Sequence, residues 1–265
     1  MSGFRQKCIG TSAVVGSFAS IPHPAAVEIS AAAGFDFLCI DWEHSQFSRG
    51  DLENLVRAAD VHGLPAIVRV PGHGQEAIAA ALDSGAQGVL VPRVSTAEQA
   101  CSAVMATRYP PVGQRGVGPG RAAGYGYRIP EYLSAANNAI LLAVQVETAD
   151  GLANVDAIAS TEGIDVIFVG PGDLSVSIGA MGPSGAAKLN KAIETILATA
   201  QERDKVAGIF CGRPEDVGKW SGKGASFFIL ASDGMFLGAA SKAAATDARA
   251  LLPQTPKPAR KTTRR

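Results

Sequence analysis

The chain has 265 residues, 47% of them hydrophobic and 18% charged, with 24 basic side chains balancing 24 acidic ones. Those proportions describe an ordinary globular protein and exclude a collagen-like repeat, a disordered polymer and a disulfide scaffold. The neutral total conceals an asymmetry, because Lys257, Arg260, Lys261, Arg264 and Arg265 crowd the last nine residues. The body is therefore mildly acidic and offers no footprint for nucleic acid. Broken by Pro253, Pro256 and Pro258, residues 253–265 read as a disordered basic tail, with a polyanion contact as the competing reading. Cys8, Cys39, Cys101 and Cys211 form no CxxC pair and read as buried free thiols. No stretch has the pattern of a secretory signal or a membrane span, so the expected setting is cytoplasmic, with no membrane partner.

In chain order, eight short apolar runs alternate with Ala-rich helical patterns. The runs are Ala13 to Ala19, Phe37 to Asp41, Ala66 to Val70, Gly88 to Pro92, Leu141 to Glu147, Val166 to Gly170, Val206 to Phe210 and Phe227 to Ser232. Helical spacing appears at Pro24 to Ala33, Arg49 to His62, Gln75 to Ser84, Thr96 to Thr107, Ala149 to Thr161 and Ser184 to Arg203. A strand followed by a helix, repeated eight times, predicts parallel pairing with both sheet faces covered. Eight units in this length fit one closed (β/α)8 barrel over residues 1–252 better than an open doubly wound sheet. Tyr109 to Pro130 is the longest irregular stretch, of the kind that serves an active site or a subunit contact.

Barrel enzymes place their chemistry at the C-terminal strand ends, so polar residues there carry the functional argument. Asp41 ends the second run, and His44 follows three residues later. The two side chains can hydrogen-bond, although a turn cap and a surface histidine explain the pair as readily. Arg69 interrupts the third run and needs an anion, either a structural partner inside the barrel or a substrate. In the fifth run Gln145 and Glu147 share one face, two residues apart. Asp173 follows Gly170-Pro171-Gly172 at the start of a short predicted helix, where it either caps the helix or serves a ligand. Glu147 and Asp173 on adjacent strands, without Cys or His nearby, suit Mg2+ or Mn2+ with room for a chelating 2-oxo acid.

Several segments jointly resemble the HpcH/HpaI aldolase family. They are Asp41-Trp42-Glu43-His44, Arg69 within V-R-V-P, Tyr109-Pro110-Pro111-Val112-Gly113, Arg115-Gly116-Val117-Gly118, Gln145-Val146-Glu147-Thr148 and Gly170-Pro171-Gly172-Asp173-Leu174-Ser175. The resemblance runs from about Gly16 to Ser241. It implies a class II, metal-dependent pyruvate aldolase on a TIM barrel, and a homohexamer built as a trimer of dimers with exchanged C-terminal helices. It further implies that Glu147 and Asp173 ligate the metal, with Co2+ as a third option, and that Gln145 lies beside it. Arg69 would stabilise the enolate and the carbonyl oxygen of the 2-oxo acid. His44, paired with Asp41, would handle protons, and the backbone amides of Gly172 and Asp173 would receive the pyruvate carboxylate. Trp42 and Phe18 depart from the family pattern and are expected to reshape the aldehyde pocket.

The reaction so implied is reversible cleavage of a 4-hydroxy-2-oxo acid to pyruvate and an aldehyde. A related metal-dependent lyase or decarboxylase acting on oxaloacetate would use the same groups. A Schiff-base mechanism needs a lysine inside the barrel, and no predicted strand contains one. A non-catalytic scaffold would leave Arg69, Gln145 and Glu147 as polar cost without use. Gly116-Val117-Gly118-Pro119-Gly120 follows no apolar strand and lacks dinucleotide spacing.

Overall fold

The computed structural model describes residues 3–10 and 12–252; the tail expected at 253–265 lies outside them. Eight parallel strands close into a barrel in sequence order. They are β1 (Val14–Ala19), β2 (Phe37–Asp41), β3 (Ala66–Arg69), β4 (Gly88–Val91), β5 (Leu141–Val146), β6 (Val166–Val169), β7 (Val206–Cys211) and β8 (Phe227–Ser232). The (β/α)8 expectation holds; each predicted run contains one of these strands except the seventh, whose strand extends one residue further, to Cys211.

Alternation along each strand builds two cores. Leu38, Ile40, Val68, Leu142, Val144 and Ile167 point outward and pack with helical residues such as Leu52, Leu55 and Ile193. Phe37, Cys39, Ile67, Leu90, Ala143, Phe168 and Phe227 point inward and fill the cylinder. Gly16 makes room for one of them, since a Cβ there would lie 2.6 Å from the Phe37 ring. A short helix, Phe4–Ile9, closes the N-terminal end, its Phe4 ring 5.3 Å from that of Phe37. Plugged below, the barrel keeps its polar side chains for the opposite end.

Three features differ from the sequence reading, and a fourth lies outside it. The stretch from Tyr109 to Pro130 contains a 3-10 helix, Arg121–Gly126, and the start of a helix, Ile129–Ala139. Pro130 sits in the first turn of that helix, where a missing N–H costs nothing, so it marks a start rather than a loop. The pattern Ala149 to Thr161 is two helices, Ala149–Ala153 and Val155–Ala159, divided at Asn154. Cys8, Cys39 and Cys211 are buried free thiols, whereas Cys101 is exposed on the solvent side of its helix. Finally, the C-terminal helix Asp233–Ala250 buries no residue at all.

Candidate active site

β2 and β3 pair so that Asp41 stands opposite Arg69. Both are nearly buried, at 6% and 8% exposure, and the guanidinium donates from Nε to Asp41 Oδ1 at 2.9 Å and from Nη2 to Oδ2 at 2.8 Å. This forked pair settles how an arginine can stay charged inside the barrel: burial opposes its charge, and the Asp41 hydrogen bonds raise its pKa above the ordinary value. The aromatic face of Phe18 packs 4.3 Å from its central carbon. Nη1 makes no hydrogen bond among the described residues and is free for a ligand.

The expected pairing of the Asp41 and His44 side chains is corrected. From His44, Asp41 accepts only the main-chain N–H, at 3.2 Å, because the strand register places Arg69 against its carboxylate. The imidazole instead lies 3.6 Å from Glu43 Oε2. Glu43, passed over in the sequence, is the third charged group here: the same oxygen is 3.4 Å from Arg69 Nε. Burial lifts its carboxyl above the usual range, against the pull of Arg69 and His44. Trp42 also differs from expectation, since it packs on the outer core and donates to the Phe47 carbonyl at 3.0 Å. Phe18 does line the cavity.

Across the barrel mouth, Gln145 and Glu147 are each 2% exposed. Gln145 Nε2 donates to Glu147 Oε2, and the Arg93 N–H donates to Oε1 at 2.9 Å. Gln145 Oε1 is buried without a partner among the described residues. Burial pushes the Glu147 carboxyl up to about 7, and the negative charge of Asp173 adds to the shift. Gly170 permits this crowding, because a Cβ there would lie 2.6 Å from Gln145 Nε2.

Asp173 occupies the third position of the helix Pro171–Ser177, whose N-cap is Gly170. It caps nothing: no side-chain hydrogen bond closes that helix start, and the carboxylate is exposed to the cavity. The helix is fastened to the segment after Glu147 by Ser177, whose Oγ accepts the Ala149 N–H at 2.8 Å. Phe18, His44, Arg69, Gln145, Gly172 and Asp173 line one cavity of about 330 Å³, with Phe210 and Met235 on its apolar wall. A larger hollow of about 610 Å³ near Phe4 and Arg121 opens at the other end of the barrel and holds none of these groups. Chemistry, not volume, selects the site.

Comparison with known proteins agrees with this geometry. The family model for HpcH/HpaI aldolase/citrate lyase matches residues 15–240. The chain belongs to the HpcH/HpaI aldolase/citrate lyase family. It is 37% identical over 231 residues to a 5-keto-4-deoxy-D-glucarate aldolase from Klebsiella pneumoniae, covering 87% of this chain and 90% of that one. A hydroxypyruvate/pyruvate aldolase from Paraburkholderia phytofirmans is 38% identical over 246 residues, covering 90% and 94%. Among solved structures, an HpcH/HpaI aldolase/citrate lyase family protein from Burkholderia cenocepacia superposes with a TM-score of 0.87 at 34% identity, covering 92% of this chain and 98% of that one. As an HpcH/HpaI family member the chain is a carbon–carbon lyase, and the family-wide reaction is cleavage of a 2-oxo acid through an enolate.

Proposed function

We propose that the protein is a divalent-metal-dependent aldolase that reversibly cleaves a 4-hydroxy-2-oxo acid into pyruvate and an aldehyde. One observation carries this reading: Arg69, Gln145 and Asp173 line a single cavity, Gln145 Oε1 is buried without a partner among the described residues, and Glu147, hydrogen-bonded to Gln145, is a buried carboxyl with no ion-pair partner among the described residues.

The residues fit a hard cation. Glu147 and Asp173 supply carboxylate oxygens, and the unpartnered Gln145 Oε1 adds a buried acceptor beside them. Among the described residues no set of three or more His, Cys, Asp or Glu forms a closed cage, which suits Mg2+, Mn2+ or Co2+ held by few protein ligands with substrate oxygens completing the shell. When bound, the ion supplies Lewis acidity that draws electrons from the keto group. Arg69 presents Nη1 to the same oxygen and holds negative charge as the enolate forms. The first-turn amides of Gly172 and Asp173 have no partner within their helix and receive the pyruvate carboxylate. His44, steadied by Glu43, moves the proton between its ring and the C4 hydroxyl, and Asp41 acts through Arg69.

A homohexamer with exchanged C-terminal helices belongs to the proposal. It is supported by the helix Asp233–Ala250, which buries nothing and leaves Met235, Phe236 and Leu237 exposed; light scattering measures the assembly. A cytoplasmic setting is supported by four free thiols, and no described helix is long and apolar enough to cross a membrane. The deciding experiment strips the protein with EDTA, restores individual metals and measures pyruvate release across a panel of 4-hydroxy-2-oxo acids. Release that survives chelation overturns the reading.

A further inference from the structure

Asp233, the first residue of the C-terminal helix, gives its carboxylate to a loop that follows another strand. β1 ends its pairing with β2 at Ala19, opposite Ile40, and the chain leaves the sheet with the next two N–H groups in need of acceptors. Asp233 takes both: Oδ1 accepts from the Ser20 N–H at 2.9 Å, and Oδ2 from the Ile21 N–H at 3.0 Å. The Ser20 hydroxyl donates to Oδ1 as well, at 2.5 Å, as does the N–H of Gly234 at 2.7 Å. An acid in the first turn of a helix commonly serves the helix itself. Here the capping role belongs to Ser232, whose Oγ accepts the Met235 N–H at 3.2 Å, and Asp233 is turned toward the loop.

The backbone is shaped to bring it there. Gly16 pairs with Ile229 and Phe18 with Ser232, so β8 carries one residue more than β1 over the same stretch. Ala231 has φ +48°, a left-handed conformation that persists in a residue with a Cβ only where its surroundings hold it. Such a bulge re-aims the residues that follow, here setting Ser232 opposite Phe18 and Asp233 beside Ser20. Ser20, Ser232 and Met235 line the substrate cavity, whereas Asp233 stands behind them and borders the outer groove with Phe35 and Phe236. Because its proton goes to Asp233, the Ser20 hydroxyl offers the cavity lone pairs only. In a closed ring of eight strands β1 lies across from β5, so this wall faces Gln145 and Glu147 from the far rim, where the second reactant enters.

Resting on the aldolase reading above, we infer that Asp233 is a positioning residue for the acceptor side of the cavity. It fixes the loop after β1 so that Ser20 meets the incoming aldehyde, while enolate formation on the opposite side proceeds without it. Glycolaldehyde, whose hydroxyl can donate to Ser20, is the acceptor in the test, with pyruvate and Mn2+. In Asp233→Ala its KM rises about tenfold, while metal-dependent exchange of pyruvate methyl protons, followed without aldehyde, keeps its wild-type rate. Asp233→Asn retains one accepting oxygen and gives an intermediate KM; it decides the matter if Asp233→Ala does not fold. Ser20→Ala raises the same KM, and adding the Asp233 substitution to it raises KM by a smaller factor than in wild type, since both act through one group. A glycolaldehyde KM unchanged in the folded variants, or an equal loss of proton exchange and aldol turnover, overturns the positioning role. Absence of exchange in the wild type overturns the aldolase reading and this inference with it, whereas wild-type exchange with an unchanged KM in the variants removes this inference alone.

Discussion

Asp41 and Arg69 stand opposite each other on β2 and β3, joined by two parallel hydrogen bonds of 2.9 and 2.8 Å. The fork consumes Nε and Nη2 and aims the remaining nitrogen into the cavity. A lysine has one donor point and cannot satisfy both Asp41 oxygens while reaching a substrate. Arg69→Lys is therefore expected to lower kcat by about a hundredfold while the protein stays folded. Steady-state kinetics with a melting curve checks this; near-wild-type turnover would remove Arg69 from the chemistry.

Glu147 makes the metal-free protein sensitive to pH in an unusual direction. Its carboxyl, ordinarily near 4.5, is pushed up to about 7 by burial and by Asp173. Between those values the folded state holds a proton that the unfolded state has lost, so stability falls as pH rises through the window. The whole interval is worth on the order of 3 kcal/mol. Chelated wild type should lose melting temperature from about pH 5 to about pH 8, and Glu147→Gln should flatten that loss. Bound metal should reverse it, because the cation competes with the proton and favours the ionised form. Identical pH profiles for chelated wild type and Glu147→Gln would count against the assignment.

What could be read in advance depended on whether the relevant geometry lies within one strand. Gln145 and Glu147 were placed on one face by the period of two along β5, and the structure puts both inside the barrel mouth. The Asp41 and Arg69 pair needs the register between two strands, which short apolar runs do not encode; hence Asp41 was matched to His44, its neighbour in sequence. Glu43 is masked in the sequence by Asp41 and His44, which account for the segment without it, although an acid between them at a strand end is itself a signal. Asp173 was ambiguous until the helix start showed Gly170 in the capping position. The Arg93 amide had no signal, since a left-handed residue other than glycine leaves no mark in the sequence.

Gly170 has φ −99° and ψ 91°, a conformation open to alanine, so space alone excludes a side chain there. The Cβ of Gly170→Ala would meet Gln145 Nε2 at 2.6 Å and Glu147 Cβ at 3.1 Å. The nearest atoms are the ends of the Gln145 and Glu147 side chains; Glu147 is held by the Arg93 N–H and both residues are enclosed, so making room displaces the groups that would hold the ion. The variant should fold and bind Mn2+ about tenfold more weakly or worse, as misplacing supporting groups around a metal does. Titration followed by electron paramagnetic resonance reads the affinity directly, and an unaltered value would show the two side chains to be more mobile than their packing indicates.

Arg115, by contrast, should matter for stability and not for chemistry. Its side chain is fully enclosed, with Nη2 donating to Asp83 at 2.6 Å and Nη1 to the Tyr132 hydroxyl at 3.1 Å. Its central carbon lies 4.7 Å from the Tyr109 ring and 5.6 Å from that of Tyr132. Through these contacts one cation ties the irregular segment after Tyr109 to the helices Gln75–Asp83 and Ile129–Ala139. Arg115→Met keeps much of the volume and removes every polar contact, leaving Asp83 without its partner. Because Asp83 is one-third exposed, water replaces part of what is lost, and the expected cost is roughly 2 kcal/mol. Urea unfolding should show that loss, with kcat and KM of the folded fraction unchanged well below the transition. A specific fall in kcat at full folding would instead connect this segment to the active site.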